Sequence, residues 1–201
     1  MQMRNTSSSA YLHIFSFAHF FNLVKKIIMN FKKIILVPIL VILIIYSCPA
    51  QKIPSVAIKD LKVLTGCWQG SLTYLDYTSN KPFTMSANLV IKQMGRSNKF
   101  IFSNIYPKEP NANSSDTIMI SKDGRKINDE TVRSIQRKND GNLEIITEVS
   151  GIDGNDNKPA TLRYTYTIGK QLYIHRKDVQ FTGQTDFIKR HEYTYSAMKC
   201  K

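Results

Sequence analysis

Leu64-Thr65-Gly66-Cys67-Trp68-Gln69-Gly70-Ser71-Leu72-Thr73-Tyr74-Leu75-Asp76-Tyr77 is the stretch in which the hydrophobic pattern changes its period. Just upstream, in residues 55–65 (SVAIKDLKVLT), Ile58, Leu61 and Leu64 recur at helical spacing, so a turn or two of helix capped by Ser55 is expected. Gly66 stops it. From there Trp68, Leu72 and Tyr74 alternate with Gln69, Ser71 and Thr73, the period of two that a strand imposes on its faces. The only tryptophan of the chain thus stands at the mouth of the first strand, between two glycines.

The same period continues to the C-terminus. Strand-like runs follow at residues 83–92, 100–106, 116–121, 125–128, 131–137, 143–149, 161–168, 171–177 and 187–198. Thr161-Leu162-Arg163-Tyr164-Thr165-Tyr166-Thr167-Ile168 is the cleanest of them. Asp123-Gly124, Asp140-Gly141 and Asp153-Gly154 are dipeptides that favour positive φ in tight hairpins, and Gly169-Lys170 joins two strands directly. No helical pattern of ten or more residues appears after Gly66. About ten short antiparallel strands must hide their edges, either by closing into an up-and-down barrel or by stacking as a sandwich. The expected fold is all-β, a single antiparallel up-and-down β-barrel of about 8–10 strands with a short N-terminal helix. The rival is a β-sandwich with Trp68 in its core.

Upstream of this domain the chain reads as an export signal. Residues 34–47 (IILVPILVILIIYS) are apolar and uncharged, and Met29-Asn30-Phe31-Lys32-Lys33 supplies a short basic start. The run falls short of the roughly 20 residues of a membrane span and contains Pro38. Residues 29–50 are therefore expected to be a signal peptide, residues 1–28 an extension from a misplaced start codon, and residues 51–201 the mature domain. Two processing routes compete. Cys48-Pro49-Ala50 offers small residues for cleavage before Gln51, and Ile45-Tyr46-Ser47-Cys48 is a loose lipobox that would leave Cys48 lipidated. Both place the domain outside the cytoplasm, in the periplasm, on the outer membrane or beyond.

The five basic residues of the leader leave 23 Lys and Arg against 15 Asp and Glu, so the mature part carries a net charge of +8. These residues are dispersed along the sequence, as a solvated surface would have them. Anionic envelope lipids or polymers are candidate partners, and nucleic acid is not expected of an exported chain without a basic cluster. A monomer is expected.

The short helix followed by Gly66-Cys67-Trp68 at the first strand resembles the G-x-W signature of the calycins, the lipocalin and fatty-acid-binding group. The extended form with Leu64, Gly70, Tyr74 and Tyr77 looks most like the lipocalin-like and nitrobindin-like branches. The resemblance implies that Gly66 and Trp68 help plug one end of the barrel. It also implies a basic residue from near the last strand packed over the indole, with Arg190 and Lys199 as candidates. Closure adds a further expectation. With an even strand count the first and last strands are antiparallel neighbours, so the start of one meets the end of the other. Cys67 and Cys200 occupy those positions and are expected to form a disulfide, closing a loop of about 130 residues.

The chemistry within such a barrel is less specific. Inward aromatics, among them Tyr74, Phe100, Phe102, Tyr164, Tyr166 and Tyr193, would either fill the lumen or line a pocket for one small hydrophobic molecule. His175 shares a mixed face with Tyr173 and Lys177 and is expected to point to solvent. His191 shares a face with Phe187, Tyr193 and Tyr195, and in nitrobindin-like barrels a histidine near the chain end ligates haem iron. Haem is therefore the alternative cofactor, and otherwise none is expected. No zinc motif and no G-x-S-x-G are present. Asp153-Gly154-Asn155-Asp156-Asn157 lacks the closing Glu of a calcium loop and reads as a hairpin turn. Glu144 and Glu148 share a strand face and read as a solvated pair. A non-enzymatic carrier is the leading expectation, and a solid barrel that docks on polyanions is its rival.

Overall fold

The computed structural model describes residues 53–200 apart from positions 77 and 80, together with the isolated positions 22 and 25. Residues 53–201 form one compact unit. The leader, its two cleavage routes and Cys48 lie outside the described residues.

The chain's first and last strands are neighbours. β1 (Gly66–Asp76) pairs antiparallel with β10 (Ile188–Met198), Cys67 standing opposite Met198 and Tyr74 opposite His191. The other strands are β2 (Lys81–Gln93), β3 (Lys99–Ile105), β4 (Ser114–Met119), β5 (Lys126–Ile127), β6 (Glu130–Arg137), β7 (Leu143–Asp153), β8 (Lys158–Ile168) and β9 (Leu172–Phe181). All ten form one sheet in the order β4-β3-β2-β1-β10-β9-β8-β7-β6-β5. Every neighbour is antiparallel; β1 and β10 are the one paired couple not consecutive in sequence, and β4 and β5 are the one consecutive couple without a ladder. The result is an up-and-down, nearly closed barrel.

The remaining seam lies between β4 and β5. A single bridge, Ile120 to Ile127, crosses it, helped by the Asn128 amide, which donates to the Met119 carbonyl at 2.7 Å. Both isoleucines are buried, so the crossing point is sealed by apolar contact as well as by the backbone.

One end of the barrel is plugged. α1 (Ile58–Lys62) turns Leu61 inward, and Leu64 follows it into the core. The cap differs from expectation: Ala57, not Ser55, is the N-cap residue, and the Asp60 carboxylate accepts its backbone N–H at 2.8 Å. Asp60 thereby makes the half of a capping box that needs no acceptor on the N-cap side chain. The strap before the helix is fixed by the Val56 N–H donating to the Gly124 carbonyl at 2.8 Å. Trp68, 3% exposed, donates its indole N–H to the Leu64 carbonyl at 2.8 Å. It packs in one cluster with Leu61, Leu64, Leu89, Ile91 and Phe100.

The second glycine of the quoted stretch has a packing reason. A Cβ on Gly70 would lie 1.9 Å from the Thr194 carbonyl oxygen, so the first and last strands can approach only if this position carries no side chain. Gly66 starts the strand at φ +140°, a conformation that L side chains rarely adopt.

Cys67 and Cys200 form a disulfide across the same join, with Cα atoms 5.3 Å apart. It ties the first strand's opening to the chain end just beyond β10.

Candidate functional site

The strand parity sorts the lumen into layers. Beside the plug lies the apolar floor, and above it stands a belt of aromatic rings from β8, β9 and β10. The Tyr173 ring lies 5.9 Å from Tyr195 and 6.5 Å from His175, and Tyr193 lies 5.7 Å from Tyr195, with each pair within 10° of parallel. Tyr166 stacks on His175 at 4.7 Å. The near-parallel planes follow from the register, which sets Tyr195 beside Tyr173, Tyr193 beside His175, and His175 beside Tyr166 on neighbouring strands.

A cavity of about 220 Å³ opens against this belt. Phe102, Tyr164, Tyr166 and Tyr193 line it, as do His175 and His191. Across from them Asn104 and Asp116 complete the wall from β3 and β4. Of the aromatics expected at a pocket, two stand elsewhere. Phe100 is fully buried in the core cluster, and Tyr74 packs against Phe83 at 5.5 Å with the rings tilted, near the β1–β2 turn.

His175 corrects the expectation of a solvent-facing side chain. It points into the lumen between tyrosines, its ring centroid 6.2 Å from that of His191. Its Nε2 is buried without a hydrogen-bond partner among the described residues, and so is the Tyr195 hydroxyl. Tyr173, Asn104 and Asp116 were also missed. Tyr173 and His175 share strand parity with each other, but Lys177 on the same face gave that face a mixed character.

Lys177 is luminal for an electrostatic reason. Its ammonium lies 2.7 Å from Asp153, whose other oxygen lies 2.7 Å from Arg190 Nε. Burial would raise the Asp153 carboxyl, but the two cations outweigh it and hold the group below its ordinary value. Arg190 therefore serves the open end of the barrel. Its guanidinium lies over Phe181 at 5.3 Å, seven residues along β10 from Ala197, the partner of Trp68. The expected role of Arg190 over the indole is not what the fold provides. Trp68 meets the edge of Tyr173 instead, at 6.2 Å.

Burial sets the charge state of the cavity. It lowers His175 to about 3, with His191 adding to the effect, and lowers His191 to about 4, with Lys177 adding to it. Both imidazoles are neutral at physiological pH. Burial raises the Tyr164 hydroxyl to about 12 and holds Tyr193 and Tyr195 further up, so the phenols stay protonated. Tyr193 and Tyr106 share a hydrogen bond of 2.8 Å. Deeper in the wall, Glu130 accepts from the Thr147 hydroxyl at 2.5 Å and the Tyr166 hydroxyl at 2.9 Å, while burial raises its carboxyl. The site can thus offer neutral imidazoles and phenols in an aromatic box, with the Asp116 carboxylate in its wall and Lys177 paired to Asp153 beyond it.

No group of three or more His, Cys, Asp and Glu that could hold a metal ion exists among the described residues. Haem needs one axial nitrogen, and His191 or His175 is a suitable neutral donor. The space is the obstacle. At about 220 Å³ the cavity lies below the roughly 300–1,000 Å³ of pockets that enclose drug-sized ligands, so it does not enclose a haem macrocycle.

No family model matches the chain, and no curated protein matches it. Among solved structures it is similar to one described as the crystal structure of Rv2717c from M. tuberculosis, with 13% sequence identity and a TM-score of 0.43. That match covers 71% of this chain and 97% of that one. Similarity so distant transfers no function. The ten-stranded, nearly closed antiparallel barrel fits a calycin-like architecture in general terms.

Proposed function

We propose that this protein is an exported, lipocalin-like carrier that holds one small, largely apolar molecule in the barrel lumen and catalyses no reaction. One observation supports the reading above the others. Two buried polar atoms without partners, His175 Nε2 and the Tyr195 hydroxyl, belong to residues lining the same aromatic cavity. Buried polar groups are ordinarily hydrogen-bonded, and an unpaired one costs on the order of 1–3 kcal/mol. A ligand with a flat apolar body and one or two polar atoms would satisfy both groups once their side chains turn towards it, while its faces meet the rings. The Cys67–Cys200 disulfide is consistent with an oxidising compartment.

Native mass spectrometry of the protein purified from its own envelope tests this reading. A bound small molecule at one per chain, released on unfolding, is expected. Protein that is empty and binds no small aromatic would refute it. The haem reading through His191 has the donor but no cavity that encloses a macrocycle, and haem addition is expected to give no Soret band of a ligated iron.

A further inference from the structure

The barrel gathers its charge at one end. The connections at the plugged end, residues 53–65, 94–99, 120–126, 137–142, 169–171 and 199–200, hold eleven Lys and Arg against three Asp. Those at the open end, residues 76–81, 106–113, 153–158 and 182–187, hold three Lys against five Asp and Glu. These connections carry net charges of +8 and −2, and Lys177 and Arg190, both paired with Asp153, bring the open end to about neutral. The dispersal expected from the sequence is corrected here, because every second hairpin of an up-and-down barrel turns at the same end.

Exposed apolar side chains occur at both ends, Phe83, Ile105, Ile152 and Ile188 at the open one, but at the plugged end they stand among basic residues. Ile53, Ile58, Val63, Met94 and Met119 are exposed there by 56, 40, 46, 44 and 39%. The Val56–Gly124 hydrogen bond sets the strap and helix beside the β4–β5 turn, so Lys59 and Lys62 stand near Lys122, Arg125 and Lys126. Only Arg125 of these five has an ion-pair partner within 4.0 Å among the described residues, an exposed Asp123 at 3.8 Å.

We infer that the plugged end docks on the surface of an anionic lipid bilayer, with the open mouth of the cavity turned away from it. Exposed lysines attract the headgroups, and the isoleucine, valine and methionine side chains enter the interface between them. The exposed apolar side chains among the lysines argue for a membrane over a soluble polyanion, since a soluble polyanion gives them nothing to bury against. The inference stands independently of what the lumen holds.

Lysine acetylation of the full chain, read by mass spectrometry, tests it. The chain is mixed with vesicles of phosphatidylcholine alone or with an equal part of phosphatidylglycerol. On the anionic vesicles Lys59, Lys62, Lys122 and Lys126 are expected to label about fivefold more slowly than on neutral ones, while Lys81, Lys108 and Lys158 keep their rates. Salt at about 0.5 M removes the protection, because it shortens the screening length to a few ångströms. The combined variant Lys59→Glu, Lys62→Glu, Lys122→Glu and Lys126→Glu weakens vesicle binding by about tenfold or more, whereas Lys81→Glu, Lys108→Glu and Lys158→Glu does not. Equal protection of both ends, protection independent of lipid charge, or no protection on anionic vesicles would overturn the inference.

Discussion

Gly70 shows how much a single hydrogen atom decides. Its Cβ position is occupied by the Thr194 carbonyl of the neighbouring strand, so Gly70→Ala must push β1 and β10 apart at the join that closes the barrel. We expect a loss of about 3 kcal/mol or more, measured by urea unfolding against wild type. His175 acts through its charge state. A folded imidazole held near 3 cannot take up the proton that an unfolded one binds near 6.5. The stability it protects is fully present above pH 6.5 and falls as pH drops towards the folded value. His191, held near 4, acts in the same sense. Glu130, with its carboxyl raised by burial, acts in the opposite sense, gaining stability as pH falls. Each histidine is expected to cost about 2 kcal/mol between pH 7 and pH 5. His175→Phe, which keeps a ring in the stack, should remove about that much of the pH dependence in chemical unfolding at the two pH values. An unchanged slope would mean that the imidazole is solvated. This residue was hard to read from sequence because one face of β9 carries Tyr173, His175 and Lys177, and the partner that buries Lys177 is Asp153, on β7.

The strands and turns were largely legible. Alternation placed all ten strands, and the glycines of Asp123-Gly124, Asp140-Gly141 and Asp153-Gly154 adopt positive φ in their turns. Ends were less so. β7, β8 and β9 run several residues further towards the open end than their apolar alternation, because Gly151, Asp153 and Lys158 continue the ladder without continuing the hydrophobic pattern. The clustering of positive charge was hidden for a related reason. Lys59, Arg96, Lys122, Arg137 and Lys170 are far apart in sequence and come together only through alternate hairpins. The element that closes the barrel covalently is the disulfide, whose cysteines are 133 residues apart in sequence. The paired variant Cys67→Ser and Cys200→Ser is expected to lose about 2–4 kcal/mol in unfolding at equilibrium while keeping its far-ultraviolet signature. A loss near zero would show that the β1–β10 ladder alone holds the join.

At the scale of the whole molecule, the barrel divides labour between its ends. One is sealed by Trp68, α1 and the disulfide, and its surface is basic. The other opens towards a cavity of about 220 Å³ whose walls are rings and whose unpaired polar atoms lie among them. None of the strand alternation distinguishes a hollow lumen from a filled one, since both place the same side chains inward. A small flat fluorophore can make that distinction in solution. Titration of the full chain with 1-aminoanthracene, followed by its emission, addresses the lumen directly when run beside Ile118→Trp, which enlarges a lining side chain of β4. Saturable binding at one per chain to wild type, lost in Ile118→Trp while the fold's circular dichroism is kept, is the predicted result. No saturable binding, or binding equal in the two proteins, would contradict a ligand site inside the barrel.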